Sequence, residues 1–245
     1  MTMERKSPAV NSRRSYDSSG RRERARQARD QIAGVAEDLF LCRGYAATTV
    51  AAIAAQARVS VETIYKGFGG KAGLVRAIVE RGLTGAGPVQ SEQRSDQIRD
   101  TEPDPRQILT AWGAFVADIA PATAPILLMA RDAAAGDTEL ADLLKEISAA
   151  RLERMTVNAR ALSDAGHLRL GITLAQAADT LWTYTSPELY ELLVLCRGWS
   201  ADHYGRFVAQ AMIAALLPPI APGQNAPADS LAHGARRTGP DQPDL

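Results

Sequence analysis

The chain has 245 residues, enough for one large domain or a small one joined to a larger one, and its hydrophobic content of 46% supports a packed core. Its two cysteines form no CxxC pair, which excludes a disulfide framework and agrees with a reducing cytoplasm. The net charge is zero, yet residues 1–85 hold 15 Lys and Arg against 8 Asp and Glu. A basic first third is typical of a nucleic-acid-binding domain, although a basic tail on an acidic globule would give the same balance.

The N-terminal residues 1–20 are polar and mixed in charge, and we expect them to be disordered. A first helix is predicted from about Arg22 to Cys42, because its apolar residues recur at helical spacing and Gly44 ends the pattern. Arginines concentrate before and at its start: Arg13, Arg14, Arg21, Arg22, Arg24, Arg26 and Arg29. They form either an arm that reaches DNA or the solvated beginning of a helix, since acidic residues lie among them.

Two short helices follow the first one. One is predicted over residues 49–57 with Thr48 as its cap, and the next begins after Ser60 and ends near Gly67. A tight turn joins them, which is the arrangement of a helix-turn-helix whose second helix enters the major groove of DNA. A fourth helix is predicted from about Lys71 to Leu83.

The remainder of the chain also predicts helices. Residues 84–104 read as a polar linker or loop, and later helices begin near Asp104, Asp137 or Thr138, Thr173, Ser186 and Ser200. The apolar stretch 111–130 is long enough to span a bilayer, but Asp118 and two prolines favour two buried helices that meet at a corner. No stretch alternates apolar and polar residues long enough for a strand, so an all-α fold is predicted. Residues 218–245 are rich in Pro, Gly and Ala and are expected to be disordered.

The stretch GYAATTVAAIAAQARVSVETIYKGFGGK, residues 44–71, resembles the DNA-binding domain of the tetracycline-repressor (TetR) family. The resemblance depends on the glycine–aromatic pair, the paired threonines, the Val-Ser pair before the recognition helix, and the run from Thr63 to Tyr65 with Phe68 and Lys71. It covers about residues 24–83. It implies a helix-turn-helix domain over residues 21–83 and a helical ligand-binding and dimerisation domain over residues 105–217.

This resemblance implies where DNA would be contacted. The expected contacts are Thr48, Thr49, Arg58, Ser60, Val61, Glu62, Thr63, Tyr65, Lys66 and Lys71. Helix N-termini attract phosphate, and side chains on the recognition helix can reach base edges. Thr48 could instead be only a cap, and Glu62 only a carboxylate that favours the helix dipole. Arg58 stands where the family usually has glycine, so a left-handed backbone there would cost about 1 kcal/mol.

The resemblance also implies an inducer pocket in the C-terminal helices. The expected apolar lining is Trp112, Phe115, Ile119, Met129, Met155, Trp182 and Tyr184, with Asp118, Arg131 and Asn158 as polar anchors. Such sites are mostly apolar with a few polar groups, which suits a hydrophobic small molecule. The alternative for each residue is ordinary core packing or a surface ion pair.

A helix-turn-helix of this size reads a half-site, so a homodimer is expected. Two C-terminal helices resemble the dimerisation helices of the family, and the expected interface is Leu189, Leu192, Leu193, Tyr204, Phe207, Val208, Ala211 and Ala215. A four-helix bundle across a two-fold axis would bury this apolar surface, and packing within one chain is the alternative.

The sequence therefore predicts a cytoplasmic, dimeric repressor that binds double-stranded operator DNA and is released by a small molecule, with no membrane contact. An enzyme is the main rival class. The three histidines are scattered, and no metal-ligand spacing, nucleophile elbow or phosphate loop is present, so no catalytic residue, cofactor or metal is expected. An architectural DNA-binding protein without an inducer is a further alternative. A redox sensor that uses Cys42 or Cys196 is a variant of the repressor hypothesis.

Overall fold

The computed structural model describes residues 18–84 and 91–219, and every regular element within these two ranges is helical. The all-α prediction is thereby confirmed. The disorder predicted for the two tails falls almost entirely outside the described residues, as do Arg13 and Arg14.

Four helices form the N-terminal part of the fold. Helix α1 spans Ser18–Arg43, α2 spans Val50–Ala57, α3 spans Val61–Phe68 and α4 spans Lys71–Thr84. They close around side chains that are at most 1% exposed: Phe40, Ile53, Ile64, Leu74 and Ile78. This shared core fixes α3 against α1 and α4 because each helix contributes at least one of these large side chains.

Helix α5, Ser91–Thr101, occupies most of the segment that the sequence predicted as a linker or loop. That part of the prediction was wrong, because α5 is held by polar contacts that give no apolar periodicity. Arg94 pairs with Asp118 at 2.8 Å, and Asp96 pairs with Arg154 at 2.6 Å. The carbonyl oxygen of Ser95 accepts a hydrogen bond from the indole of Trp112 at 3.4 Å.

Helix α6 runs unbroken from Pro105 to Ala133, with Pro121 and Pro125 inside it. Two helices meeting at a corner was therefore a wrong prediction. Each internal proline costs about 3 kcal/mol, but buried residues before and after the prolines hold one continuous helix in place. Among the described residues α6 belongs to the one segment, Pro105–Gly136, that is long and apolar enough to cross a membrane. The buried core helix of a globular fold has the same length and apolar composition.

The C-terminal helices follow a 3-10 turn at Ala134–Gly136. Helix α7 spans Thr138–Asp164, α8 spans Leu174–Tyr184, α9 spans Pro187–Tyr190, and α10 spans Ala201–Leu216. A π-helical turn, Glu191–Cys196, extends α9. The predicted caps are confirmed, and each side chain accepts a backbone N–H: Asp104, Asp137, Thr173, Ser186 and Ser200.

The buried apolar residues form two cores. The first lies under α1–α4 and is completed by Ile126, Ala130, Leu140 and Leu143 from α6 and α7. The second lies among α6, α7, α8 and α10. Helices α6 and α7 thus pass through both cores and connect the two halves of the molecule.

Helices α6 and α10 approach so closely that their backbones touch. A β-carbon on Gly113 would lie 2.6 Å from the carbonyl oxygen of Gly205, and one on Gly205 would lie 2.9 Å from that of Gly113. Glycine at both positions therefore permits this crossing, and α10 packs on its own chain.

Candidate nucleic-acid interface and cavity

Helix α2 is capped by Thr49, whose hydroxyl accepts a hydrogen bond from the Ala52 N–H at 3.1 Å. Thr48, the predicted cap, is only 1% exposed, and its hydroxyl donates to the carbonyl oxygens of Gly44 and Leu39. The side-chain role predicted for Thr48 is thus corrected: its hydroxyl stabilises the segment between α1 and α2. Thr49 is exposed at the positive end of the α2 dipole, where a phosphate is favoured.

The turn between α2 and α3 depends on Arg58. Its backbone is left-handed, with φ 58° and ψ 42°, and its N–H donates to carbonyl oxygens at the end of α2. Arg58 is the only non-glycine residue with positive φ in the described ranges. Its side chain is exposed, so the strained backbone carries a solvent-accessible guanidinium beside the recognition helix.

Helix α3 combines one buried anchor with a broad exposed surface. Ile64 is fully buried, whereas Val61 is 40% and Tyr65 54% exposed. Glu62, Thr63 and Lys66 are exposed as well. Ser60 caps the helix by accepting the Thr63 N–H at 3.0 Å. Every side chain predicted to face DNA from α3 is therefore accessible.

Lys71 is less available than the sequence suggested. Its ammonium donates to the carbonyl oxygen of Tyr45 at 2.7 Å and lies 4.0 Å from the centre of that ring. Burial lowers the pKa of Lys71. The Tyr45 hydroxyl in turn donates to Asp137 at 3.0 Å, which joins the helix-turn-helix to the start of α7. Sequence reasoning missed this Lys71–Tyr45–Asp137 network, because no local pattern relates residues so far apart.

Of the basic residues at the start of α1, Arg29 has a defined structural role. Its guanidinium donates to the carbonyl oxygen of Gly67 and lies 4.4 Å from the centre of the Phe68 ring. Arg29 thus holds the C-terminal end of α3. Arg26 pairs with Glu23 on α1 itself, as expected of a solvated helix start.

A cavity of about 270 Å³ lies between α4–α8 and α10. Five predicted pocket residues line it: Trp112, Phe115, Ile119, Met155 and the anchor Asn158. The other predicted residues are placed outside its lining: Met129, Trp182, Tyr184, Asp118 and Arg131.

The excluded residues have other contacts. Met129 packs on the first core and Tyr184 on the second. Arg151 lies over the Trp182 ring, 4.6 Å from its centre. Asp118 pairs with Arg94, and Arg131 pairs with Glu191 at 3.1 Å. These two charged side chains are therefore surface ion pairs, the alternative that the sequence left open.

The residues predicted for a dimer interface divide into two groups. Tyr204 and Val208 are fully buried in the second core, so placing them at an interface was wrong. They face inward because the close Gly113–Gly205 crossing turns that side of α10 toward α6. The others are partly or fully accessible: Leu189, Leu192, Leu193, Phe207, Ala211 and Ala215. Leu192 is 60% exposed, and Leu195, which the sequence did not single out, is 52% exposed.

Among the described residues, no group of three or more His, Cys, Asp or Glu side chains could hold a metal ion. His203 stacks on Trp199 with ring centres 3.9 Å apart. Cys42 and Cys196 are free thiols on the surface.

Comparison with known proteins agrees with this geometry. Residues 32–78 match the family model described as bacterial regulatory proteins, tetR family. No curated protein sequence matches the chain. Solved structures do share its fold. A TetR-family transcriptional regulator described as putative, from Syntrophomonas wolfei, is 17% identical with a TM-score of 0.61, and the match covers 77% of this chain and 94% of that one.

Two further structures are similar. The SmeT–triclosan complex is 22% identical, with a TM-score of 0.62 over 80% of this chain and 96% of that one. NalD of Pseudomonas aeruginosa, the secondary repressor of the MexAB-OprM multidrug efflux pump, is 20% identical, with a TM-score of 0.60 over 80% and 98% of the two chains. The resemblance predicted from the sequence is confirmed over residues 32–78, which match the model of the tetR family of bacterial regulatory proteins, and the helical fold is shared with these solved structures.

Proposed function

We propose that the chain is a cytoplasmic, homodimeric transcriptional repressor, not an enzyme, which binds an operator and is released from it by a small molecule. The observation that carries this proposal is the exposure of α3. Its side chains Val61, Glu62, Thr63 and Lys66 are accessible, while Ile64 fixes the helix to the domain. A rigid helix with a free polar surface is what major-groove readout needs.

Different residues would have different roles on DNA. Thr49, Arg58 and Tyr65 are exposed around the helix-turn-helix and suit phosphate contacts. Val61 suits contact with a thymine methyl, and Glu62 suits acceptance of a hydrogen bond from cytosine. The ammonium of Lys71 is bound to Tyr45, so Lys71 would attract DNA through its positive charge without contacting a phosphate directly.

Helix α4 supplies a physical connection between cavity and DNA. Its first half packs in the core beneath α3, whereas Arg76, Val79, Glu80 and Leu83 line the cavity. A ligand that favours one position of these side chains would bias the position of α4 and, with it, the recognition helix. In a dimer the spacing of the two recognition helices must match about one helical turn of DNA, so a small shift lowers affinity.

Dimerisation is supported by the apolar side chains that remain accessible near the C-terminus. Leu192 and Leu195 are more than half exposed on the π-helical turn, and Phe207 and Ala211 are partly accessible on α10. Burial of such residues against a second copy would remove apolar surface from water.

The first experiment is selection of bound sequences from random DNA duplexes with the purified full chain at physiological salt. An inverted repeat is expected, because two identical helix-turn-helix domains related by a two-fold axis read two half-sites. Sequence-independent, strongly salt-sensitive binding would contradict the proposal and favour an architectural DNA-binding protein.

Variants of α3 sharpen the test once an operator is available. Glu62→Ala should relax the sequence preference at one position in each half-site, and Tyr65→Phe should weaken binding to all sequences about equally. Glu153→Ala, an exposed change on α7, is the matched control and should leave both affinity and preference unchanged.

A further inference from the structure

The cavity is lined by residues with hydrogen-bond donors for which the described part of the chain supplies no acceptor. The Tyr204 hydroxyl belongs to a fully buried residue and has no hydrogen-bond partner among residues 18–84 and 91–219. The Nε of Arg154, also on the cavity wall, is buried and unpartnered as well. Buried polar groups in proteins are nearly always satisfied, so two such donors on one cavity point to an acceptor brought by a ligand.

Arg151 adds a positive charge to the same cavity wall. Each of the other cavity-lining arginines has a carboxylate partner: Arg76 pairs with Glu146, and Arg154 with Asp96. Arg151 has none within 4.0 Å in the described ranges. Its contacts are neutral, namely the carbonyl oxygen of Trp182 and the Thr185 hydroxyl.

The position of Arg151 makes the absence of a paired carboxylate among the described residues significant. Burial lowers the pKa of Arg151, so its charge is held where solvation is poor. The exposed Glu188, beyond 4.0 Å, is the carboxylate whose charge acts on Arg151 to raise its pKa, a smaller effect than that of burial. Tyr204 lines the same cavity, and the charge of Arg151 acts to lower the pKa of its hydroxyl against the larger effect of burial. A partly desolvated guanidinium binds a carboxylate more strongly than a fully hydrated one.

The rest of the cavity is apolar. Val79, Leu83, Val116, Leu127, Ile147 and Leu181 line it. The two lining carboxylates, Glu80 and Glu92, are exposed, which places them toward solvent. A ligand would therefore meet donors and one positive charge at one part of the wall and hydrocarbon over most of the remainder.

We propose that the cavity binds a small amphipathic carboxylate, whose anionic group is held by Arg151 and Tyr204 and whose apolar body fills the remaining space. This inference rests on the proposed function, since it names the ligand class for the same cavity. The carboxylate oxygens accept hydrogen bonds from the guanidinium and from the phenol, and Arg154 Nε–H is a further donor. A ligand with a cationic group is disfavoured, because Arg151 would repel it.

The test compares probes that share a body and differ in the polar group. Octanoate, 1-octanol and octylammonium are titrated into the full-length protein by calorimetry at pH 7, and 4-phenylbutyrate and 4-phenyl-1-butanol form a second matched pair. Each carboxylate is expected to bind at least tenfold more tightly than its alcohol, and octylammonium is expected not to bind. Equal affinity of carboxylate and alcohol, or absence of binding by all probes, overturns the proposal.

Substitutions assign the preference to residues. Arg151→Met should remove the preference for carboxylate over alcohol and keep the affinity for alcohol, and Arg151→Lys should retain part of the preference. Tyr204→Phe should weaken carboxylate binding several-fold and raise the Tm of the free protein, because it removes an unsatisfied hydroxyl. Arg160→Met, an exposed change on α7, is the control for loss of one positive charge. An unchanged preference in the Met and Lys variants would contradict the role of Arg151.

Operator release is measured separately with the same probes. If carboxylates bind with the expected preference and operator stays bound, the ligand class holds and the proposed inducer response fails. If alcohols and carboxylates release the operator equally well, the proposed function holds and the ligand class fails.

Discussion

Arg58 is the residue at which local strain and exposure coincide. A left-handed backbone costs a residue with a β-carbon about 1–2 kcal/mol relative to glycine. The greater conformational freedom of glycine in the unfolded chain offsets about 0.5–1 kcal/mol of the stability gained by relieving this strain. We therefore expect Arg58→Gly to be more stable than Arg58→Ala by about 0.5–1 kcal/mol in urea unfolding. The alanine variant is the matched control, since both changes remove the charge and only glycine relieves the strain. The reverse order of stability would show that φ is relaxed.

The Lys71–Tyr45–Asp137 network makes a prediction about pH. Tyr45→Phe removes the hydrogen bond to Asp137, which should cost about 1 kcal/mol at pH 7. This is below the range of about 1.5–3 kcal/mol for charged partners, because the site is partly exposed. Asp137 has a pKa below its ordinary 3.8, chiefly because the Leu140 N–H donates to it and also because Tyr45 does. A group with a lowered pKa stabilises the fold above its ordinary pKa and loses that effect as pH falls through the folded value.

The difference in unfolding free energy between wild type and Tyr45→Phe should accordingly be full at pH 7 and shrink below about pH 4. Urea unfolding at several pH values measures it. Tyr184→Phe serves as the control because that side chain lies in the second core, away from Asp137. A difference that grows on acidification would contradict the assigned contact.

At the scale of the elements, two helical glycines differ in the space that surrounds them. A β-carbon on Gly73 in α4 would overlap the carbonyl oxygen of Phe68 at the end of α3, whereas one on Gly67 in α3 would meet nothing within 4 Å. Gly73→Ala should destabilise the protein by about 1–3 kcal/mol or more, since the clash is with backbone. Gly67→Ala should stabilise it by about 0.5–1 kcal/mol through helix propensity. Thermal unfolding of both variants decides this, and a neutral Gly73→Ala would mean that α3 and α4 can separate.

Elements that local chemistry determines could be predicted from the sequence, and those that distant contacts determine could not. Caps such as Thr173 with its Gln176 partner act within one turn, so their signal lies in adjacent residues. Helix α5 depends on ion pairs to Asp118 and Arg154, which are distant along the chain. Thr49 and not Thr48 caps α2, because Thr48 is buried, and no short sequence pattern reveals that burial.

The candidate cavity shows the same limit. The family resemblance together with the apolar character of ligand sites identified part of the lining, including Trp112 and Phe115 on α6. Tyr204 was instead assigned to an interface, since α10 has apolar residues on more than one side. Its inward orientation follows from the contact between Gly113 and Gly205, and glycine spacing on two separate helices does not show that they meet.

The whole molecule should unfold as one unit, because α6 and α7 contribute to both cores. Trp112, Trp182 and Trp199 all follow the helix-turn-helix part of the chain, so tryptophan fluorescence reports on the helices from α6 onward. Far-ultraviolet circular dichroism reports on all helices. We expect the two signals to give coincident urea transitions, as in two-state unfolding. A fluorescence transition clearly separated from the dichroism transition would contradict this cooperativity.

The contribution of α6 and α7 to the first core also determines how the protein can be divided. A fragment that ends at residue 84 would lack Ile126, Ala130, Leu140 and Leu143, and the side of the first core that they cover would be exposed to water. The first core therefore does not end with α4, so a chimera joined at that point would divide a hydrophobic core. A transferable N-terminal unit would have to include the residues of α6 and α7 that complete the first core. Replacing only the recognition helix within this chain would keep that core intact, whereas moving residues 18–84 into another protein would expose it.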